Sequence, residues 1–327
     1  MSVLRSALFA IALAGLTTAA RPMVAQEAEP GPSATAAEGQ VDFITPHITD
    51  SYDVDVPYWK APFVKEVCLG RELPNGHCGP AWEPIHIGGW EVNLSPTKHV
   101  LMLLVSAGLC ILLLVGAARA HMRHTHAIGR PRGFAAGIEA MVLYLRNEVI
   151  LPNVGPHGNA YVPYLLSVFF FILFANLLGL IPYGATATGN IAVTGMMALI
   201  TFVVVEISGI RALGKGYLST LFYWNTDLNI VMRVLMFLIM SPVEMIGKLT
   251  KPFALMIRLF ANMTAGHIVV LAFIGLIFTF GSVLIGLAPL AMAVGIMLLE
   301  LFVAFLQAFI FTLLSSVFIG QIREAHH

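Results

Sequence analysis

The chain has 327 residues, 58% of them hydrophobic and only 11% charged, too little polar surface to cover a water-soluble globule of this length. Eighteen Lys and Arg balance eighteen Asp and Glu, so there is no clustered cationic excess to meet a phosphate backbone, and a nucleic-acid partner is excluded. No G-x-x-x-x-G-K-[ST] run is present to cradle a nucleotide, and the composition reads as an integral membrane protein.

Residues 1–25 carry Arg5, an apolar run from Ala7 to Leu16, small residues, and Met23-Val24-Ala25 ahead of Gln26. That is the layout of a cleavable signal peptide, and the apolar run is too short for a hydrocarbon core roughly 30 Å thick. Cleavage would leave 26–97 as an exported N-terminal region. Its first part, Glu27 to Gly39, is Ala, Pro, Gly and Glu with almost nothing large to bury, and reads as a disordered linker. Val41 to Asn93 adds aromatic residues among prolines, including Tyr52, Trp59, Trp82 and Trp90, enough for a small ordered cap or hairpin. Cys68 and Cys78 fall in this stretch, where an oxidising compartment permits either a disulfide or two free thiols; spacing does not choose between them. Cys110 sits in an apolar run and reads as packing.

Residues 98–327 read as the membrane domain. The first span runs from His99 to Ala118 and is followed by Arg119, Arg123, Arg130 and Arg132, cations that put its far end in the cytoplasm. Over Gly133 to Ile150, Phe134, Ile138, Met141, Leu145 and Val149 recur at helical spacing, which predicts an amphipathic helix on the membrane surface. Tyr161 to Ile181 and Ile191 to Ile210 are the second and third spans; their cation-free connection faces outside. Leu228 to Phe280 is about twice the length of one perpendicular span, so it must be steeply tilted, broken at Pro242 or Pro252, or partly buried against protein. A turn over Gly281 to Pro289 leads to a last helix from Leu290 to Ile319, with Arg323 marking a cytoplasmic C-terminus. The expected fold is all-α and polytopic: about five membrane-crossing helices, among them a long tilted pair, plus the surface helix.

Ionisable groups at membrane depth are costly, so each is a functional candidate unless it snorkels or finds a partner. Arg258, in Leu255-Met256-Ile257-Arg258-Leu259-Phe260, is far from either end of its apolar stretch and keeps its charge at any accessible pH. Helical spacing puts it on one face with Ala261, Asn262, Ala265 and Gly266. Two readings fit that strip: a packing interface with a structural Arg paired to a carboxylate, or a track along which a partner helix slides while Arg258 meets its carboxylates. His267 lies nine residues on, about 13 Å along a helix and on roughly the opposite side. Glu300 and Gln307 share a face of the last helix. A carboxylate, an imidazole and amides on adjacent helices suit a proton relay, and each alone suits a satisfied structural group equally well.

The run Lys251-Pro252-Phe253-Ala254-Leu255-Met256-Ile257-Arg258-Leu259-Phe260-Ala261-Asn262-Met263-Thr264-Ala265-Gly266-His267, with Glu300 and Leu306-Gln307-Ala308-Phe309-Ile310-Phe311 downstream, closely resembles subunit a of F-type ATP synthases. The resemblance covers about His99 to Ile322 and leaves out the exported region, which is long for the family. It implies a proton-translocating stator subunit, non-catalytic and without a cofactor, with two half-channels and an essential arginine facing the rotor. By that resemblance Arg258 matches the arginine, Gln307 the glutamine facing it and Asn262 the polar residue one turn on. His267 and Glu300 match the outer half-channel pair, in exchanged order relative to some members. Glu244 matches a carboxylate of the cytoplasmic half-channel, although Lys248 one turn away offers it a simple ion-pair partner. Asn176 matches a polar position on an earlier helix. Glu206, Arg233 and Lys251 carry no functional reading. The implied partners are a ring of small two-helix subunits c, the peripheral-stalk subunit b, the soluble catalytic head reached through the stalk, and the lipid bilayer. The implied location is a bacterial inner membrane, multi-pass, with a periplasmic N-terminal region. The rotor holds the ion's ligands, so proton and sodium coupling both stay open. The competing class is a stand-alone secondary ion transporter or channel, which usually carries internal repeats and paired broken helices; neither is evident here.

Overall fold

The computed structural model describes residues 51–57, 64–72, 78–83, 85–87, 90–92, 95–125, 133–155, 158–181, 186–217, 230–280 and 283–324. The signal peptide expected over 1–25 and the linker expected over Glu27 to Gly39 lie outside them.

The segment ahead of the membrane helices forms three antiparallel strand pairs. In the first, β1 (Asp53–Pro57) pairs with β2 (Val64–Cys68), Asp53 opposite Cys68 and Pro57 opposite Val64. Asp-Val-Asp-Val alternates with the period of two that a half-buried strand requires. β3 (Arg71–Glu72) pairs with β4 (Cys78–Gly79), and β5 (Ile85–Ile87) with β6 (Trp90–Val92). Cys68 and Cys78 are joined in a disulfide, their Cα atoms 5.8 Å apart, which decides between the two states that spacing left open. At Gly70 a Cβ would overlap the Gly79 carbonyl, so the two backbones can approach only because no side chain is there. Hydrogen bonds tie this cap to the start of the first membrane helix and the residues just ahead of it: the Lys98 amide donates to the Ser51 carbonyl at 3.0 Å, and the Trp82 amide to Ser95 Oγ at 3.0 Å.

Seven α-helices follow among the described residues. α1 (Lys98–Thr125) is the first span; α2 (Phe134–Tyr144) continues through a π-helical stretch, Leu145–Ile150, into α3 (Leu151–Val154). That run ends at Gly155, whose φ of 74° suits a residue without a Cβ. Ile138, Leu145 and Val149 are buried, as the amphipathic pattern predicts. α4 (Val162–Gly179) carries Pro163 in its first turn, where a missing N–H has no intrahelical partner to lose. After a 3-10 turn, Ala187–Gly189, the Asn190 side chain caps α5 (Ile191–Leu213) by accepting the Ala192 amide at 2.9 Å.

α6 (Ile230–Phe280, 51 residues) and α7 (Val283–Glu324, 42 residues) pack along one another. At 1.5 Å per residue they are about 76 and 63 Å long, each roughly twice a hydrocarbon core, so they must run strongly tilted to it. α6 is a single helix with Pro242 and Pro252 inside it, which removes the broken-helix alternative. The wide turn expected over Gly281 to Pro289 is corrected: α7 starts at Val283 and takes Pro289 into the helix. One Pro removes one backbone hydrogen bond, a small loss against the contacts α7 makes along its length. Five helices among the described residues are long and apolar enough to cross a membrane.

The core lies where α4 packs on α7, which in turn packs along α6: Phe169, Phe170 and Ile172 share one buried cluster with Phe311, Leu255 and Leu259. Lipid tails receive apolar side chains as readily as protein does, so close packing rather than escape from water holds these helices together. Several hydroxyls inside the bundle are satisfied locally. Ser106, Ser167, Thr201, Ser208, Thr312 and Ser315 each donate to a backbone carbonyl three or four residues earlier, the arrangement available to a hydroxyl in a helix without water.

Candidate functional site

Along α6, Lys248, Lys251, Arg258, Asn262 and His267 follow one another over 19 residues, about 28 Å of helix. They divide into three places.

At the His267 end, the residues just ahead of α5, Thr186 to Asn190, pack into the bundle. Thr186 and Thr188 on it are buried. Thr186 Oγ1 is hydrogen-bonded to His267 Nε2, and the turn sits so close that a Cβ at Gly179 would overlap Thr186. Thr188 Oγ1 donates to Asn176 Oδ1 at 2.7 Å, and Asn176 Nδ2 reaches the Ala304 carbonyl at 3.4 Å. Glu300 packs so tightly onto Gly266 that a Cβ there would overlap its carboxylate, and Gly266 is the residue before His267. The fold therefore brings Asn176, His267 and Glu300 to one end of the α6–α7 pair. Glu300 Oε1 and Thr264 Oγ1 are buried without a hydrogen-bond partner among the described residues, a costly state that a proton or a water would relieve.

In the middle, Asn262 Nδ2 donates to Gln307 Oε1 at 2.9 Å, bridging α6 and α7. Gln307 is buried at 1%, its Nε2 unpaired among the described residues. Arg258, one turn before Asn262, is half buried, and among the described residues no carboxylate lies within ion-pair distance of it. Ala261, Asn262 and Ala265 are exposed, so most of the small-residue strip beside the guanidinium is open; only Gly266 is covered, by Glu300. The packing alternative, a structural Arg paired within the chain, thus finds no partner among the described residues.

At the Lys248 end, α5, α6 and α7 enclose a cleft of about 240 Å³ whose walls include Thr201, Glu206, Glu244, Lys248, Lys251 and Gln321. The ion pair expected between Glu244 and Lys248 is not formed: Lys248 Nζ is 3.9 Å from Glu206 Oε1 and donates to the Tyr217 hydroxyl at 3.1 Å. Glu244 is exposed at the rim. Helical spacing put Glu244 within reach, but a carboxylate on the neighbouring helix competes better. Lys251 Nζ donates to Gln321 Oε1 at 3.2 Å and lies over the Phe318 ring.

Sequence reasoning missed Thr186, Thr188 and Glu206. The threonines lie in a short connection without periodicity, and what makes Glu206 notable is a cleft built from three helices; no local signal marks either. Among the described residues the metal-spaced group is Asp53, Cys68 and Cys78, and the disulfide occupies both sulfurs.

Residues 100–320 match the family model described as ATP synthase A chain. The chain belongs to this family. It is 46% identical over 237 residues to ATP synthase subunit a of Chloroherpeton thalassium, covering 72% of this chain and 68% of that one. It is 40% identical over 316 residues to ATP synthase subunit a 2 of Chlorobaculum tepidum, covering 95% and 81%. ATP synthase subunit a of Anaeromyxobacter sp. strain Fw109-5 is 47% identical over 240 residues, which take in 72% of this chain and 56% of that protein, little more than half its length. The family model begins at residue 100, in keeping with a resemblance that starts at about His99, and the alignment with the Chlorobaculum protein extends further, over 95% of the chain.

Proposed function

We propose that this chain is the proton-translocating stator subunit of a rotary F-type ATP synthase, non-catalytic itself, with Arg258 facing a rotor ring of small two-helix subunits. The observation that carries this reading is the state of Arg258: a permanent cation inside a membrane helix, beside an open strip of small residues, with no carboxylate partner among the described residues. A charge at membrane depth is costly without a partner, and a carboxylate on another chain would supply one. A rotor helix bearing a carboxylate fits the strip, because small residues let backbones approach closely.

The arrangement separates two tasks. A proton entering from the periplasmic side would pass Thr186, His267 and Glu300, with Asn176 and Thr188 holding the wall, and neutralise a rotor carboxylate. After the ring turns, the proton would leave through the cleft near Glu244. Arg258 stands between, about 13 Å from His267 and about 10 Å from Lys251 along α6. Its charge lowers the proton affinity of the arriving carboxylate and repels a proton that would otherwise cross directly. A leak would waste about 2.3 kcal/mol per proton per 100 mV. Lys would serve badly, because a buried ammonium can deprotonate where a guanidinium does not. The Asn262–Gln307 bridge holds the two long helices in register beside the guanidinium.

On this reading residues 1–25 are a signal peptide, 26–97 an exported region on the periplasmic side of an inner membrane, and 98–327 the membrane domain with a cytoplasmic C-terminus. Subunit b and the soluble head complete the stator and supply the ATP chemistry. The test is Arg258→Ala in membrane vesicles carrying the whole complex: ATP synthesis driven by a proton gradient is expected to be lost while the complex still assembles, and synthesis at the parent rate would overturn the gating role.

A further inference from the structure

Glu206 lies inside α5, a helix long and apolar enough to cross a membrane, where a carboxylate is costly without a partner or a task. It has a partner in Lys248, and both side chains keep some exposure, 20% for Glu206 and 11% for Lys248. That exposure opens into the cleft of about 240 Å³, whose wall also includes Leu255, one helical turn before Arg258. A cavity of this size with several polar groups in its wall holds water. The cleft therefore brings water from the end of α5 to within a turn of the gating cation, with Glu206 standing in its wall.

We propose that Glu206 is a proton-relay carboxylate of this cleft, passing protons between the rotor and the cytoplasmic water, with Lys248 as its counter-cation. The proposal rests on the reading of Arg258 as the rotor-facing gate. A rotor carboxylic acid gives up its proton and becomes the carboxylate that meets Arg258. Cleft water carries the proton to a Glu206 oxygen, which becomes a neutral carboxylic acid. Glu206 then gives the proton to water, forming hydronium, and is a carboxylate again. Lys248 Nζ, 3.9 Å from Glu206 Oε1, pairs with the carboxylate between transfers. The Tyr217 hydroxyl at 3.1 Å and the Tyr217 ring, 4.5 Å from Lys248 Nζ, hold the ammonium in place while Glu206 is neutral.

A salt-bridge partner needs only its charge, whereas a relay needs a group that changes charge, and this difference supplies the test. Inverted vesicles carrying the whole complex would be assayed for ATP-driven proton pumping and gradient-driven ATP synthesis with Glu206→Gln, Glu206→Asp, Glu206→Gln combined with Lys248→Met, and Arg258→Ala. Glu206→Gln is expected to slow both directions by about tenfold or more, in keeping with loss of a proton-transfer group. Glu206→Asp should keep most of the rate, and the double variant should recover nothing. Recovery in the double variant would reduce Glu206 to an ion-pair partner and overturn the relay. Parent-rate transport in Glu206→Gln, with Arg258→Ala inactive, would overturn the relay and leave the gate intact; activity in both would overturn the gate as well. In a chain with Cys110→Ala, Glu206→Cys should react with a membrane-impermeant maleimide in inverted vesicles and stay unreacted in right-side-out ones. No labelling in the inverted vesicles would refute the aqueous cleft itself.

Discussion

The two ends of the α6–α7 pair handle polar groups in opposite ways. Around His267 and Glu300 the bundle is closely packed: Thr186 and Thr188, ahead of α5, are buried, and they and Asn176 bond directly to one another or to the helices. Around Glu206 and Lys248 it is open, with an ion pair at 3.9 Å in the wall of a cleft. A closed site fixes geometry, so a change in shape there displaces a functional group. An open site is wet and screened, so a change in shape is absorbed and mainly a change in chemistry is felt. Substitutions that separate shape from chemistry would sharpen this contrast or break it.

The largest effect is expected from Gly266→Leu. Any side chain there overlaps the Glu300 carboxylate, so a leucine must push that carboxylate off Gly266 and out of its place at this end of the pair. Proton pumping should fall to background while α6 and α7 stay in the membrane, as protease protection of vesicles would report. Pumping at the parent rate would mean that Glu300 moves freely and that this end is not closed.

Next come His267→Glu and Glu300→His. Each single exchange creates a like pair and should impair proton conduction, whereas the double exchange should recover part of it. Neighbouring residues couple by about 0.5 to 3 kcal/mol in a double-mutant cycle, and distant ones simply add. Pumping by all four forms in inverted vesicles measures the coupling, and strict additivity would end the pairing of these residues.

A smaller effect should follow from Thr188→Val, which removes the 2.7 Å bond to Asn176 and leaves that buried amide oxygen unsatisfied. A loss of about 1 to 3 kcal/mol in stability is expected, read as a lower unfolding temperature of the detergent-extracted complex. Adding Asn176→Leu should restore part of it, because replacing both partners with apolar groups leaves nothing unpaired.

The smallest effect on transport is expected from Cys68→Ser with Cys78→Ser. The disulfide closes a loop of 10 residues in sequence separation, worth about 3 kcal/mol to the cap by loop-closure entropy. The disulfide lies outside the membrane helices, so pumping should be unchanged while the segment ahead of α1 becomes more sensitive to protease.

How much of this could be read in advance depended on the range of the interaction concerned. The five spans, the amphipathic Ile138-Leu145-Val149 face and the shared face of Glu300 and Gln307 follow from hydrophobic length and helical period, properties of neighbouring residues along the chain. The isolation of Arg258 from either end of its apolar stretch was equally plain, since the composition around a residue determines whether it can snorkel. The strand pairs ahead of α1 were visible only as room for a hairpin, and whether Cys68 and Cys78 pair depends on backbone geometry that spacing does not define.

By itself, then, the amino-acid sequence determined which segments enter the membrane, which residues carry charge into it, and the family to which the chain belongs. Only the tertiary structure decided which charges meet. Lys248 had Glu244 one turn away on its own helix and turned to Glu206 on another. His267 found Thr186 in a connection 81 residues earlier, and Glu300 found its place on Gly266 because a glycine there has no side chain to keep it off. Periodicity describes the face a helix offers. The packing of α5, α6 and α7 against one another selects among the faces, since a buried polar group settles on whichever partner the packed helices bring within hydrogen-bond reach.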